Sequence, residues 1–511
     1  MNKKKDILYG CFLFALLLGV AFVFFWQVRD LPIIRIGLYH AKMATQLLDT
    51  GFNIDAVNTF GKYYRGMGLA LIATPFINLF GLNVAVKFAS FITTSLFLLG
   101  SFFFFQHFNL RANIPKKYVF LEMLLLFWNP VVIHQFSSAY ADSGVSLMYL
   151  LSLIFFDRLQ TKEGGWASAI KLTLCLLLAY YFKTIGLAFP PLLFLIFFIQ
   201  IILFRQTFPR EKTLVLLIVS AVIYCIIFYL AMNKYLGIFY LNLDNLQSRG
   251  DTLSLFSIAG HIKKLKTITW VFCLTFSTLN IFFLGTLKGL FKNRFSCDWL
   301  LITSTLIIIG IIFLEHGATY NLRLFLPIVP IFCFYLARGF LEFRNRRLMI
   351  GILILYFFIN TITVVTYNLP SINRQVPKLL PILFRAHDNF RIQAMVNTRD
   401  TIRTINEIVA TGGTLIVFDG YYVHGTEAYG HGVYDRMGLF REDIQIQYCA
   451  VIEDVELPET GFFYIWRHPY LVPKQKVNFM AFVEQFDYEV FIDNRLFLIK
   501  GTRQKNAINV Q

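Results

Sequence analysis

Residues 7–26 read ILYGCFLFALLLGVAFVFFW, and residues 214–232 read LVLLIVSAVIYCIIFYLAM. Each run reaches the roughly 20 apolar residues that a helix needs to cross about 30 Å of hydrocarbon. In lipid such a run must be helical, because every unpaired backbone polar group there costs several kcal/mol. The two stretches therefore predict a polytopic α-helical membrane protein.

The whole composition agrees with that prediction. The chain has 57% hydrophobic residues and 57 Phe, with a mean hydropathy of +0.60, which is too apolar for a soluble protein of 511 residues. We predict a mainly α-helical bundle of about eleven spans. The expected spans are 7–28, 84–106, 118–133, 143–157, 167–182, 186–204, 213–232, 267–286, 298–314, 322–340 and 348–367.

The net charge of +17 could indicate nucleic-acid binding, but the basic residues sit in short gaps beside apolar runs. Topology and anionic lipid explain such placement better. The basic residues fall in alternate gaps: Lys3, Lys4 and Lys5; Arg111, Lys116 and Lys117; Arg158 and Lys162; Arg205, Arg210 and Lys212; Lys288, Lys292 and Arg294; Arg344, Arg346 and Arg347. The positive-inside rule then predicts a cytoplasmic N-terminus. The longer gap 233–266, with three lysines, fits this orientation less well.

Two regions are expected outside the spans on the periplasmic face. The long first outer loop, 29–83, contains two short apolar stretches, 39–51 and 66–80, that we expect to lie along the membrane interface. An odd span count leaves 368–511 outside as well. There, strand-like runs (TLIVFDG, IQIQYCAVI, GFFYIWRH) alternate with helical patterns, and YEVFIDNRLFLIKG predicts a hairpin turning at Asp493-Asn494. The tail therefore predicts a small α/β domain, so the transmembrane domain is expected over 1–367.

Most polar residues that could carry chemistry fall on this one outer face. They are Asp30, Arg65, Asp142, Lys183, Glu315, His316, Tyr320 and Arg323. Ionisable residues at a membrane boundary are costly when they face lipid, so they tend to line a cavity or meet a polar ligand. Two carboxylates beside several cations suit a transfer from a lipid phosphate: one Asp acts as base or orients the acceptor, and the cations stabilise the departing phosphate. Each residue alone is also explained by solvation or by reaching the headgroups, and Asp142 by capping its helix.

The order of these motifs resembles the GT-C superfamily of membrane glycosyltransferases, especially the branch of lipid A 4-amino-arabinose transferases and protein O-mannosyltransferases. The similar stretches, within residues 7–340, are LIATPFINLFG, WNPVVIHQFSSAYADSGVSLMYLL, YYFKTIGLAFPPLLF and HGATYNLRLFLPIVPIFCFYLARG. The resemblance implies an inverting transfer from a polyprenyl-phosphate sugar to a lipid, glycan or protein acceptor. It also implies donor-phosphate contacts from Arg65, Lys183, Tyr320 and Arg323, with Glu315 and His316 as substrate contacts.

One position departs from the family. The family has an acidic residue shortly before the Tyr-x-x-Ala helix of the first loop, whereas this chain reads PIIRIGLY over 32–39, with Arg35 and no carboxylate. Asp30 is our substitute for that acid, with Asp49 and Asp55 as weaker alternatives.

A metal site is not indicated by the sequence, although a divalent cation is left open as a cofactor. No CxxC occurs among the seven Cys residues. In the tail, His424, Glu427 and His431 share a glycine-rich loop without a further ligand-bearing element, so a loop lining the acceptor site explains them better. Arg467 and His468 fit either an acceptor contact or an exposed polar loop.

Two rival functions remain open. A transporter or lipid flippase usually shows internal repeats and broken helices at the bilayer midplane, whereas this chain has no repeat and its polar candidates lie at one interface. A non-catalytic envelope-assembly protein with the same fold would explain the missing loop acid.

Overall fold

We describe the protein from a computed structural model. The structure describes residues 3–33, 36–53, 66–161, 165–183, 186, 189–202, 210–232, 286–287, 296–314, 322–343, 345–368, 390–418, 421–423, 427–429, 433–449, 462–467, 487–490 and 497–502.

The described residues up to 368 are mostly helical. The helices there are α1 (Lys3–Val28), α2 (Ile36–Asp49), α3 (Gly68–Phe80), α4 (Leu82–Arg111), α5 (Tyr118–Phe127), α6 (Pro130–Ser137), α7 (Asp142–Leu159), α8 (Trp166–Phe182), α9 (Phe189–Ile202), α10 (Arg210–Met232), α11 (Ser296–Leu314), a 3-10 turn (Leu322–Ile328), α12 (Val329–Glu342) and α13 (Arg346–Asn368). Two further helices were expected at the interface, and α2 and α3 match them in position.

Ten of the eleven predicted spans coincide with these helices, and 267–286 lies outside the described residues except for its last position. Within the part of the chain that the structure describes, Leu82–Arg111 and Arg323–Glu342 are long and apolar enough to cross a membrane. A third span is obtained if the bent pair α5 and α6 counts as one. The helical character of the bundle is thus confirmed, while the count of eleven spans stays a prediction.

The expected span 118–133 is broken, which corrects the sequence-based prediction. Helices α5 and α6 meet at an angle of 66°. The break has a local cause: Pro130 occupies the first helical position of α6, and the side chain of Asn129 accepts a hydrogen bond from the Val131 N–H at 3.0 Å. Helix α6 continues beyond the expected end of this span, as far as Ser137.

Polar residues at the helix ends meet in two separate groups along the bundle. Asp142, at the start of α7, contacts Lys183 at the end of α8 and Arg323 in the 3-10 turn that precedes α12. Asp157, near the other end of α7, contacts His107 and Arg111 from the end of α4. We call these the Asp142 end and the Asp157 end of the bundle. A rise of 1.5 Å per residue separates them by roughly 22 Å along α7.

The described residues of the tail comprise one α-helix and seven strands. Helix α14 (Phe390–Ile408) precedes the strands β1 (Thr414–Phe418), β2 (Tyr421–Val423), β3 (Glu427–Tyr429), β4 (Gln445–Cys449), β5 (Phe462–Arg467), β6 (Asp487–Val490) and β7 (Phe497–Thr502). Five of them form a mixed sheet in the order β4-β1-β5-β7-β6. Strand β1 is parallel to β4 and β5, and β7 is antiparallel to β5 and β6. The predicted hairpin is present as the β6–β7 pair, and its turn at 493–494 lies outside the described residues.

This sheet packs on the helices of the first outer loop. One apolar cluster joins Leu415 and Trp466 of the sheet to Leu47 of α2 and Leu69 of α3. At its margin, Nη1 of Arg436 lies 2.5 Å from Oδ2 of Asp49. The tail and the loop helices therefore share a core at the Asp142 end.

Candidate functional site

The centre of the site is the carboxylate of Asp142, which is buried between two cations. Lys183 donates from Nζ to Oδ1 at 2.6 Å, and Nε of Arg323 lies 3.7 Å from Oδ2. The Arg323 guanidinium also stacks over the ring of Tyr140, with Cζ 4.4 Å from the ring centroid. All three charged side chains are at least 87% buried, with exposures of 6% for Asp142, 13% for Lys183 and 7% for Arg323. The structure thus brings together three of the residues that the sequence singled out.

Asp142 does not serve as a helix cap. The N-cap of α7 is Ala141, without a side-chain cap bond, and Asp142 is the first helical residue. Its carboxylate turns instead to Lys183 and Arg323. The simple capping explanation for this residue is therefore wrong.

A set of hydroxyl groups on α4 fixes the segment that leads into Asp142. Ser90 donates to the carbonyl of Gln135 at 2.9 Å, and the Oγ atoms of Thr93 and Thr94 lie 3.2 and 3.1 Å from that of Ser143. These buried hydrogen bonds join α4 to the segment before α7 and to the first turn of α7. Asp142 is consequently held by its neighbours on both sides.

Glycines determine where Lys183 lies. The ring of Phe182 fills the space over Gly144 on α7 and Gly68 on α3, where an added Cβ would come within 2.4 and 2.7 Å of Phe182 Cδ1. Gly66, at φ +70°, lies against the backbone of Tyr181 and Phe182, a close approach that no side chain would permit. The end of α8 therefore fits tightly against α7, and the next residue, Lys183, reaches the carboxylate.

Asp30 lies at the same end of the bundle but in a different environment. Its side chain is 76% exposed and pairs with Arg29 at 3.1 Å. The turn that carries it is fixed by α4: Lys87 donates to the carbonyls of Val28 (2.8 Å) and Arg29 (3.1 Å), and also to that of Leu31. Asn83 binds the same turn through Leu31 and Ile33. Because Lys87 and Ser90 are one helical turn apart, α4 supports both the Asp30 turn and the segment before Asp142.

The remaining predicted site residues lie outside the described residues. They are Arg65, Glu315, His316 and Tyr320, together with Asp55, Arg35, His424, His431 and His468. Two of their sequence neighbours are described close to the cluster: Gly66 contacts Phe182, and Gly37 contacts Ala139. Glu427 and Arg467 lie on strands β3 and β5.

The electrostatic consequence, among the residues that the structure describes, is an excess of positive charge. One carboxylate faces two cations, and the start of α7 adds the positive end of a helix dipole. In a region of low dielectric constant such a surplus is costly unless an anion is bound. Arg323 offers planar, bidentate donors that suit a phosphate, and Lys183 offers a point charge. The arrangement can therefore bind an anionic group beside Asp142.

The described residues of this cluster do not suit a divalent metal. Magnesium and calcium prefer several oxygen ligands, whereas the cluster offers one carboxylate that two cations already engage. Among the residues that the structure describes, no group of three or more His, Cys, Asp and Glu side chains converges.

Sequence reasoning missed several residues that support the site, although a signal was available. Asn83, Lys87, Ser90 and Thr94 recur at intervals of four, three and four, which places them on one face of α4. Such a polar stripe within an apolar helix indicates buried polar contacts. No comparable pattern in the sequence indicated Tyr140, whose ring stacks against the Arg323 guanidinium.

The fold is similar to that of a solved membrane glycosyltransferase. ArnT from Cupriavidus metallidurans, bound to undecaprenyl phosphate, superimposes with a TM-score of 0.60 at 12% identity, over 95% of this chain and 97% of ArnT. Its apo structure matches with a TM-score of 0.59 over the same shares. An archaeal oligosaccharyltransferase from Archaeoglobus fulgidus matches less well, with a TM-score of 0.45 over 85% of this chain and 64% of the other. No protein-family model and no curated protein matches the sequence. The chain therefore shares its overall fold with ArnT.

Proposed function

We propose that this chain is an inverting glycosyltransferase that moves a sugar from a polyprenyl phosphate to an acceptor at the periplasmic face of a bacterial inner membrane. The observation that carries the proposal is the excess of positive charge at Asp142 among the described residues, in the fold of a protein solved with undecaprenyl phosphate. A prenyl phosphate offers the two properties that this environment favours, an anionic head and an apolar chain. The sugar remains unassigned, and the acceptor is a lipid, a glycan or a protein.

In this proposal the cations bind the donor. When the donor binds, Lys183 and Arg323 each exchange part of their interaction with Asp142 for an interaction with the phosphate. The negative charge of the phosphate then balances the excess positive charge of the two cations. Arg65 and Tyr320 are proposed to complete the phosphate site, and the described neighbour of Arg65, Gly66, lies against Phe182 beside Lys183. Glu315 and His316 precede Tyr320 in the chain and are proposed as substrate contacts.

The transfer itself needs a group that removes a proton. The acceptor hydroxyl attacks C1 of the sugar from the face opposite the phosphate, and the C1–O bond to the phosphate breaks. Its electron pair leaves with the prenyl phosphate, where Lys183 and Arg323 stabilise the added charge. The hydroxyl proton passes to a carboxylate. We assign Asp30 to that role because its carboxylate is accessible, and Asp142 to orienting the cations and the acceptor.

In this proposal the transmembrane domain, 1–367, binds the donor, and the tail, 368–511, contributes to the acceptor site. The tail packs on the first-loop helices through the cluster that contains Trp466 and Leu47. Loop and tail together are proposed to shape the acceptor site on the periplasmic side, with the N-terminus in the cytoplasm.

The test is a turnover assay on the full chain in lipid nanodiscs. Polyprenyl-phosphate sugars are supplied with an envelope extract as acceptor, and mass spectrometry follows the release of free polyprenyl phosphate. We expect release with the wild type and a loss of it with Asp142→Asn and Asp30→Asn, each still binding the donor. Transport of intact donor across the membrane of proteoliposomes, without release, would instead indicate a flippase. Identical envelope glycolipids in cells with and without the protein, together with no release, would favour the assembly protein.

A further inference from the structure

A second cavity lies at the opposite end of the bundle from Asp142. It has a volume of about 490 Å³ and lies between α4, α7 and the first turns of α8, at the Asp157 end. This size falls within the range of small-molecule sites. Its inner walls are apolar, with Phe103, Leu151 and Phe155 among them.

Basic side chains surround this cavity. His107, Lys116, Arg158 and Lys171 line it, and none of the described lining residues is acidic. Arg158 and Lys171 approach the same aromatic ring, each 5.8 Å from the centroid of Phe155. The carboxylate beneath the cavity, Asp157, is only 2% exposed and already pairs with His107 and Arg111. The positive charge at the rim is therefore available to an anion.

The surroundings of the cavity are those of a membrane interface. Phe103 is 50% exposed and Leu110 is 72% exposed on the outer surface of α4, where lipid tails are expected in a membrane protein. Trp166, exposed at the start of α8, lies at the same end, and exposed Trp residues mark the headgroup level. The cavity thus combines an apolar wall facing lipid with a cationic rim at headgroup depth.

We propose that this cavity binds an anionic phospholipid. The headgroup phosphate lies among Lys116, Arg158 and Lys171, and an acyl chain follows the wall formed by Phe103 and Leu151. Basic pockets between membrane helices bind anionic headgroups in this way. The site is distinct from the proposed donor site, from which roughly 22 Å of α7 separates it, and it does not depend on the proposed sugar transfer.

The test measures lipid binding by native mass spectrometry on the full chain, delipidated in detergent. The probes are phosphatidylglycerol, phosphatidylcholine with the same acyl chains, and glycerol phosphate as a free headgroup. We expect phosphatidylglycerol to bind at least tenfold more tightly than either of the other two. The variant Arg158→Gln/Lys171→Gln lowers that affinity about tenfold, whereas the matched control Lys117→Gln/Arg347→Gln, which removes two exposed cations outside the cavity, changes it less than twofold.

Three results would overturn the proposal: equal binding of phosphatidylcholine, binding of glycerol phosphate as tight as that of the lipid, or equal losses in the two double variants. The first shows that charge is irrelevant, the second that no acyl chain is recognised, and the third that only the overall surface charge matters. Should the cavity double variant unfold in detergent, the exposed Lys116→Gln takes its place, with an expected loss of about threefold against none for Lys117→Gln.

Discussion

The two ends of helix α7 each carry a buried aspartate with two basic partners, yet they differ in their charge balance. At the Asp157 end, His107 and Arg111 approach the same carboxylate oxygen at 2.8 and 3.0 Å. Of these two partners, Arg111 alone is permanently charged. At the Asp142 end, the partners are a lysine at 2.6 Å and an arginine at 3.7 Å, so within the described part of the site two positive charges face one carboxylate.

The helix itself increases this difference. Asp142 lies in the first turn of α7, where the helix dipole contributes positive potential, and Asp157 lies in the last turn, where the contribution is negative. The same residue type on one helix therefore meets opposite fields. We infer that the contacts of Asp157 with His107 and Arg111 hold the helices together, whereas the Asp142 cluster is arranged to bind the anionic group of the donor.

Replacing the two aspartates separately is expected to give the largest contrast. Asp142→Asn releases both cations from their orienting partner, so turnover should fall on the order of 100-fold or more, as for the loss of a positioned catalytic carboxylate. The measurement is the rate of polyprenyl phosphate release at saturating donor.

Asp157→Asn is the matched control for that variant. It should retain most of the turnover and instead lower the free energy of unfolding by about 1–3 kcal/mol, because Arg111 and His107 lose a buried partner. The contrast disappears if both variants lose activity equally, and the two ends would then share one structural role.

The cations of the Asp142 end are expected to give the next largest effect. Lys183→Gln and Arg323→Gln should each weaken donor binding by about tenfold to a hundredfold, the usual cost of a charge-assisted hydrogen bond. The loss should appear in the donor KM more than in kcat. Arg338→Gln, which breaks the 2.6 Å pair with Asp298, is a control that should leave the donor KM unchanged.

The position of Lys183 can be shifted without changing any charge. Gly144→Ala places a Cβ against the Phe182 ring, which cannot retreat because Gly68 contacts it as well. We expect about 1–3 kcal/mol of destabilisation from overpacking and a decrease in turnover of about tenfold. Gly310→Ala, where nothing lies within 4 Å of the added atom, should leave turnover as it is; a loss there equal to that of Gly144→Ala would contradict the positioning role.

The contact between tail and loop should give the smallest effect. Arg436→Asp breaks the exposed pair with Asp49, and such pairs contribute less than about 1 kcal/mol. Exchanging the two charges, as Asp49→Arg with Arg436→Asp, should restore the wild-type melting temperature. If the double variant is no better than the single ones, the pair does not hold the tail on the loop.

The sequence predicted the helical bundle well because membrane spans are read from long apolar runs, and the tail strands were found from their alternation and turn residues. It failed at 118–137, where Pro130 and Asn129 break an otherwise continuous apolar pattern. It also predicted the grouping of Asp142, Lys183 and Arg323, since residues at span ends on one face must come close together. It could not predict that Asp30 pairs with Arg29 or that Tyr140 supports Arg323, because these contacts depend on side-chain directions that no periodicity encodes.

Binding of a prenyl phosphate by the cations at Asp142 is measured by comparing the affinities of a charged and an uncharged prenyl lipid. Undecaprenyl phosphate and the uncharged undecaprenol are titrated into the full chain, the Arg323→Gln variant and the Asp157→Asn variant in the same detergent. We predict that the wild type and Asp157→Asn prefer the phosphate by at least tenfold, and that Arg323→Gln loses most of this preference. Equal binding of phosphate and alcohol by the wild type, or a preference that survives in Arg323→Gln, would contradict the account.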